Sequence, residues 1–553
     1  MFVDSRTKNL FFQFRIFPDM ETSTLTDNTE ISADCFEQTQ IPFEETGLFS
    51  AIFLDYIQEK ESLQPFYGNF PKLANFPKQL ELKKEFPQQN REILAMVLQN
   101  QYKGIENAPT AQIEKLKNQN TFTVTTGHQL NIFSGPLYFI YKIVSTINLA
   151  RQLQAAFPKY HFVPVYWMAT EDHDFEEISY FRLFGKKFEW TREAKGAVGR
   201  LSTAGLGDLM AEISEMPDFF KSAYDSGKNL AQATREYVHH LFGKYDLLIL
   251  DADDCKLKSQ FVDVMKADIF EQKTSEKALE TSRKLEIAGY GSQIFIREIN
   301  FFYLEDGLRS RIEQQGEDFQ IVDTELKFSK AELGKLMETN PEKFSPNVAL
   351  RPVYQEVILP NLAYLGGPSE VAYWFQLKGI FGEMQVPFPM LMPRNFALVV
   401  NSVNSKRMKK LNVSAKDLFQ DEDTLRKQFV LENAESEVML GAQIGLLNDV
   451  FSQVVGKAVE IDKSLEGFVK AEEQKAIKSL QNIEKRLRKS EERNQETSVK
   501  QLLKIKQQLF PDGSPQERKD NFLNFYINDS QFIETLLKAF NPLDYSMNVL
   551  TDK

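Results

Sequence analysis

The sequence predicts an α/β protein, a doubly wound parallel sheet with inserted segments, followed by a C-terminal α-helical coiled coil. Three observations predict it. A strand–helix–strand unit spans residues 121–168, and a crossover of that length implies a parallel strand pair. The same pattern returns further on, where YDLLIL (245–250) and LAYL (362–365) are short apolar runs that stop abruptly at polar or glycine-rich turns, as fully buried strands do. From residue 451 the character changes. Ile461, Leu465, Phe468, Ala476, Leu480, Ile483 and Leu487 step by threes and fours, close to a heptad seam spoiled at Glu472.

In chain order, residues 1–30 read as a loose tail or a misplaced start. NLFFQFRIF is apolar but short and broken by Arg15, no small-residue cleavage site follows, and METSTLTDNTE is polar. Met20 is a candidate initiator. Residues 31–450 form the core, whose first part, 31–115, reads as mostly helical with proline and aromatic punctuation. TFTVTT (121–126) is rich in β-formers and bounded by Gly127. Ser134 is placed to cap the next helix, with Gly135 and Pro136 just inside its start. Ile140, Ile143, Val144 and Ile147 then give it one buried face. Residues 162–168 are the next strand. Asp306-Gly307 between NFFYLE and LRSRI signals a hairpin in an insertion. Residues 451–553 form the helical coiled-coil domain. Two long helices are expected to fold back around the polar stretch 489–498, and PDGSP (511–515) ends the second.

Of the 553 residues, 42% are hydrophobic and 26% are charged, and the formal net charge is −12. That balance disfavours nonspecific nucleic-acid binding. No apolar run reaches the 18 residues of a membrane span, so neither nucleic acid nor membrane is an expected partner and a cytoplasmic location follows by default. The only cysteines are Cys35 and Cys255, far apart and without metal-site spacing, so neither a disulfide framework nor a structural metal is expected. Cys255 follows an acidic run, which blunts a thiol nucleophile.

Three constellations could carry chemistry. The first is VPVYWMATEDHDFEEI (163–178), an apolar strand that opens onto Glu171, Asp172, His173 and Asp174. Carboxylates flanking an imidazole at a strand end suit a general base, a magnesium-binding carboxylate or an amine-binding group, and these four are the catalytic candidates. Acidic residues at a helix start would look the same in a structural role. The second combines Gly127, His128 and Gln129 with Ser134, Gly135, Tyr138 and Lys142. A strand end meets a helix N-terminus here and favours an anion; the bland alternative is an ordinary strand–helix turn. The third joins Asn347 and Arg351 to Gly366, Gly367, Glu370 and Tyr373. Two glycines let a ligand approach the backbone, and Arg351 can grip a carboxylate or phosphate with two bonds. The alternative is a helix start with a core-facing aromatic side.

The blocks TTGHQLNIFSGPLYFIYK, PVYWMATEDHDFEEI, SPNVALRPVYQEVILPNLAYLGGPSEVAYWFQLK and LFPDGSPQER resemble those of the bacillithiol-biosynthesis cysteine-adding enzymes. The similarity runs from about residue 31 to the C-terminus. It implies a Rossmann-like core with connecting insertions, and a coiled coil that helps form a homodimer. It also implies a ligase that joins cysteine to the glucosamine amine of glucosaminyl malate, in the last step of bacillithiol synthesis. The family's core is similar to class I aminoacyl-tRNA synthetases, which activate a carboxyl with ATP through H-x-G-H and K-M-S-K-S elements. This chain has no H-x-G-H, and NSKRMKK (404–410) only faintly matches the lysine motif. ATP is thus the cosubstrate the resemblance suggests, without a standard motif to hold it. The working expectation gives phosphate or the malate carboxylates to the second constellation, the amine of cysteine or base chemistry to the first, and the pocket's shape to the third. Two other readings compete: a nucleotidyltransferase for another small carboxylate, and a ligand-sensing scaffold whose working part is the coiled coil.

Overall fold

The computed structural model describes residues 36–225, 227–434 and 437–553; the tail expected at 1–30 lies outside them. The strands that organise the core are β1 (Phe36–Pro42), β2 (Thr121–His128), β3 (His161–Met168), β4 (Leu248–Asp251), β5 (Asn361–Gly366), β6 (Met390–Pro393), β7 (Phe396–Val400) and β8 (Ser546–Asp552). The helices used below are α1 (Tyr138–Ala156), α2 (Arg351–Ile358), α3 (Pro368–Glu383), α4 (Gly441–Ile461), α5 (Leu465–Asn494) and α6 (Glu496–Leu509).

The main sheet has the order β6-β5-β2-β3-β4, with every pair parallel. Its strands are buried along nearly their whole length, which is why most read as short apolar runs and β2 as a run of β-formers. From β2 the chain moves outward through α1 to β3 and then β4. It returns on the other side of β2 to lay down β5 and β6. The direction of winding therefore reverses between β2 and β5, and in open α/β sheets the crevice beyond the carboxyl ends at that point is where ligands bind.

Helix α1 is covered on both sides. Ile140, Ile143, Val144 and Ile147 are fully buried, and α1 packs on β2 and β3. On the other side Asn148 donates to the carbonyls of Leu537 (2.9 Å) and Phe540 (2.8 Å), so the C-terminal segment closes over it. The start of α1 differs from the sequence expectation. Ser134 does not cap it: Ile132–Ser134 is a single 3₁₀ turn, Leu137 takes the N-cap position, and no side chain bonds there. The loop is held from outside, by Asn521 donating 2.7 Å bonds to the carbonyls of Phe133 and Gly135. Gly135 has φ +59°, and a Cβ on it would lie 2.4 Å from the Asn131 Cβ, so only glycine fits.

Two further differences have plain causes. Residues 36–42 form a strand rather than a helix, because β1 pairs antiparallel with β8, which also pairs in parallel with β7. The polar stretch 489–498 is helical apart from Gln495. Its Glu, Lys and Arg residues are good helix formers and it contains neither Gly nor Pro. The turn of the long hairpin lies earlier, at residues 462–464 between α4 and α5, which pack together, while α6 packs against the helix Ser402–Leu411. The Asp306-Gly307 turn joins strands Phe301–Glu305 and Leu308–Gln315, with Gly307 at φ +73°. No helix among the described residues is long and apolar enough to cross a membrane.

Candidate functional site

A cavity of about 390 Å³ opens at the β2/β5 reversal. Gly127 and His128 from the end of β2, Gly367 and Glu370 from the start of α3, and Tyr138 and Lys142 from the start of α1 line it. A Cβ on Gly127 would lie 3.4 Å from the Tyr364 hydroxyl and 3.7 Å from Arg351 Nη1, so a side chain there would project onto two groups of the wall.

Lys142 and Glu370 form the centre. Lys142 Nζ lies 2.6 Å from Glu370 Oε2 and donates to the Gly127 carbonyl at 2.8 Å. The Glu370 carboxylate also accepts from the Gly367 N–H and the Tyr364 hydroxyl, each at 2.7 Å. Burial alone would raise the Glu370 pKa, but Lys142 and these donors bring it down to about 2. Burial lowers the Lys142 pKa, and Arg394 and Arg351 push the same way against the pull of Glu370.

His128 is held neutral. Burial, helped by Lys142, lowers its pKa to about 3. Its Nδ1 faces the Gln129 carbonyl at 2.9 Å, so Nδ1 carries the proton and donates. Nε2 is left as an acceptor and has no partner. Gln129, also on the wall, donates to Asp172 at 2.9 Å and to Glu177 at 2.6 Å.

Two more arginines complete the electrostatics. Arg394, just beyond β6, forms a buried ion pair with Glu517 at 2.5 Å. Arg518, the next residue, reaches the same cavity. The C-terminal block PDGSPQER thus supplies part of the wall. Lys142 is offset by Glu370 and Arg394 by Glu517. Arg351 and Arg518 form no salt bridge among the described residues, and Arg351 Nη2 has no hydrogen-bond partner. The Arg351 guanidinium lies 5.8 Å from the Trp167 ring centre and 5.3 Å from that of Tyr364, with Tyr373 beside it. A cavity with two guanidinium groups that no carboxylate neutralises suits an anion, above all one with two carboxylates or a phosphate.

The acidic run lies one strand over and none of its four residues lines this cavity. Glu171 is buried against the Lys258 ammonium, which also holds Asp253 at 3.1 Å. Burial raises the Glu171 pKa, opposed by Lys258. Asp172 accepts from Gln129 and from the His173 backbone N–H at 2.7 Å. These bonds and Arg309 overcome burial and hold its carboxyl well below the usual range. His173 Nδ1 lies 2.7 Å from Arg309 Nη1, which donates to it. Asp174 caps the short helix Phe175–Ile178. Ser134, Gly135 and Asn347 are not on the wall either: Asn347 bonds Asn300 and the Ala349 N–H at 2.9 and 2.8 Å.

The structure therefore brings Gly127, His128, Gln129, Tyr138, Lys142, Arg351, Gly367, Glu370 and Tyr373 to one wall; Gly366 lies just behind it, its carbonyl accepting from the Arg394 N–H at 2.9 Å. Sequence reasoning missed Trp167, Arg394 and Arg518. Arg394 had a signal, a cation directly after a buried parallel strand. Arg518 was visible only as part of a recurring block. Among the described residues, no group of three or more His, Cys, Asp or Glu is arranged to hold a metal ion.

Comparison with known proteins agrees along the whole described chain. Residues 36–395 match the model of the bacillithiol biosynthesis BshC N-terminal Rossmann-like domain, and residues 397–551 match that of the BshC C-terminal coiled-coil domain. A protein of Flavobacterium johnsoniae is 42% identical, over 92% of this chain and 99% of its own length. One of Cytophaga hutchinsonii is 39% identical over 93% and 99%, and one of Natranaerobius thermophilus is 27% identical over 92% and 99%. All three carry the name "Putative cysteine ligase BshC". With both domain models matched in order and relatives aligned from end to end, this chain belongs to the BshC family of bacillithiol biosynthesis.

Proposed function

We propose that the chain is a carbon–nitrogen ligase that joins cysteine, through its carboxyl, to the glucosamine amine of glucosaminyl malate. The observation that carries the reading is a pair of cations that form no salt bridge among the described residues, Arg351 and Arg518, in the cavity at the β2/β5 reversal. Malate offers two carboxylates for them. The names of the relatives support the same chemistry.

The surroundings also suit an amine nucleophile. Lys142, Arg351, Arg394 and Arg518 disfavour a further positive charge, so a glucosamine amine bound among them is biased toward its neutral, attacking form. His128 Nε2 offers an acceptor that orients an N–H; a group with a pKa near 3 positions the amine better than it removes a proton. Asp172 serves the site by holding Gln129 at its edge. An amide does not form favourably from a free acid and an amine in water, so the cysteine carboxyl must be activated. ATP is the cosubstrate to test first. Substrates of this kind are cytoplasmic metabolites, and the protein works there in this reading.

The α4–α5 hairpin exposes Leu446, Val450, Phe468, Ile483 and Leu487, a surface that a second copy of the chain covers in a homodimer; light scattering on the purified protein tests that. The function itself is tested by incubating the protein with cysteine, glucosaminyl malate and ATP and searching for bacillithiol by mass, with each component omitted in turn. A thiol product of the right mass only in the full mixture supports the reading. Its absence there removes it.

A further inference from the structure

Arg351 can serve as a ligand-binding cation only if something holds its guanidinium without neutralising it. From the geometry we infer that Gln355 is that positioning residue, and that its amide is locked in orientation by a buried ion pair behind it. The inference rests on the reading of the cavity as an anion site and deepens it.

Arg351 and Gln355 stand one turn apart on α2, and Arg351 Nη1 donates to Gln355 Oε1 at 3.1 Å. Gln355 is fully buried. Its Nε2 donates to Glu356 Oε1 at 3.0 Å. That same oxygen accepts from Asn361 Nδ2 at 2.6 Å, while Glu356 Oε2 pairs with Lys83 Nζ at 2.7 Å. The Asn361 side-chain oxygen Oδ1 in turn accepts from the hydroxyls of Thr125 and Thr123 on β2, at 2.8 and 3.3 Å. Lys83 and Glu356 are almost fully buried.

The consequence is one allowed orientation. A carboxylate only accepts and a guanidinium only donates. Flipping the Gln355 amide would set oxygen against the Glu356 carboxylate and N–H against Arg351, losing both bonds at once. A neutral acceptor also leaves the arginine's full charge for a ligand, which a glutamate at 355 would cancel. The network thus explains how a part-buried cation lacking a salt bridge is held ready, with Nη2 unspent.

The test is binding and kinetics of full-length variants. Calorimetry with L-malate, a dicarboxylate probe, is run on wild type, Gln355→Glu, Gln355→Met and Arg351→Met, alongside melting curves and KM against kcat for the malate-bearing substrate. We expect wild type to bind malate and Arg351→Met to lose it. Gln355→Glu and Gln355→Met should weaken binding about tenfold or more, the worth of one charged hydrogen bond, with KM rising more than kcat falls. If the buried glutamate prevents folding, the isosteric, uncharged Gln355→Met carries the test. Wild-type protein that fails to bind malate overturns the anion-site reading and this inference with it. Malate binding that depends on Arg351 but is unchanged in Gln355→Met overturns this inference alone.

Discussion

The cavity between β2 and β5 and the acidic run after β3 both stand at carboxyl ends of the same sheet, and both are rich in ionisable groups. Their charges are disposed in opposite ways. In the acidic run the charges are consumed: Lys258 holds Glu171 and Asp253, Arg309 donates to His173, and Asp174 caps a helix. In the cavity Arg351 and Arg518 form no salt bridge among the described residues, and Arg351 Nη2 and His128 Nε2 have no hydrogen-bond partner. Residue types at a strand end mark a place where chemistry could occur. A cavity lined by cations without a counter-charge marks where an anion is expected.

The largest effect tests the structural side of this contrast. Lys258 is fully buried and neutralises two carboxylates. Lys258→Met leaves Glu171 without its cation and Asp253 with Arg200 alone, and breaking a buried pair in this way typically costs about 3–5 kcal/mol. Urea unfolding should show a lowered midpoint, while the folded fraction keeps kcat within a few-fold of wild type. A variant as stable as wild type but inactive would move Lys258 and Glu171 into the chemistry and break the contrast.

Next is the pair at the centre of the cavity. The Glu370 pKa is depressed from 4.5 to about 2 in the folded state. A depressed carboxylate contributes stability above its unfolded pKa and loses it as pH falls through its folded pKa. Relative to Glu370→Gln, wild type should be more stable by on the order of 3 kcal/mol at neutral pH. That advantage should hold down to about pH 4.5 and disappear by about pH 2. Unfolding curves of both proteins across this range check the sign. An advantage that grew on acidification would mean Glu370 is protonated in the native protein.

Arg351→Met should lower kcat/KM about a hundredfold, the worth of a charge-assisted bidentate contact of roughly 2–3 kcal/mol, with the melting temperature little changed. Lysine at the same position keeps the charge but loses the fork, so it should recover only part of the activity. Equal activity in all three proteins would remove the cavity's anion role.

These expectations also show what the sequence could carry. The buried strands at 161–168, 248–251 and 361–366 were legible because they are covered on both faces and read as apolar runs, and that at 121–128 because it is rich in β-formers. The wall residues Lys142 and Glu370 were legible because charged side chains stood in the first turns of helices that follow two of those strands, and Arg351 because a lone arginine opens the helix before the strand 361–366. What was hidden is set by distant contacts. FEQTQIP at β1 is largely exposed, and its partner β8 lies at the opposite end of the chain. Arg518 enters the cavity because Glu517 is pinned by Arg394, a pairing that no local pattern encodes. Nor does the one-dimensional pattern say whether an acid is spent. TEDHD reads as a catalytic cluster until Lys258 and Arg309, from remote segments, are seen to occupy it.

The smallest predicted effect is the most discriminating for that last point. Asp174 is exposed and accepts from the Glu177 N–H at a long 3.4 Å, so it is a weak cap of a four-residue helix. Asp174→Ala should cost no more than about 1 kcal/mol of stability and leave kcat/KM within about twofold. A positioned general base is worth about 10² to 10⁴ in rate, so the two assignments differ by far more than assay error. If Asp174→Ala or Asp174→Asn loses activity on that scale with its melting curve intact, the acidic run works on a substrate after all. Its position one strand from the cavity would then require a ligand long enough to span from β5 past β3.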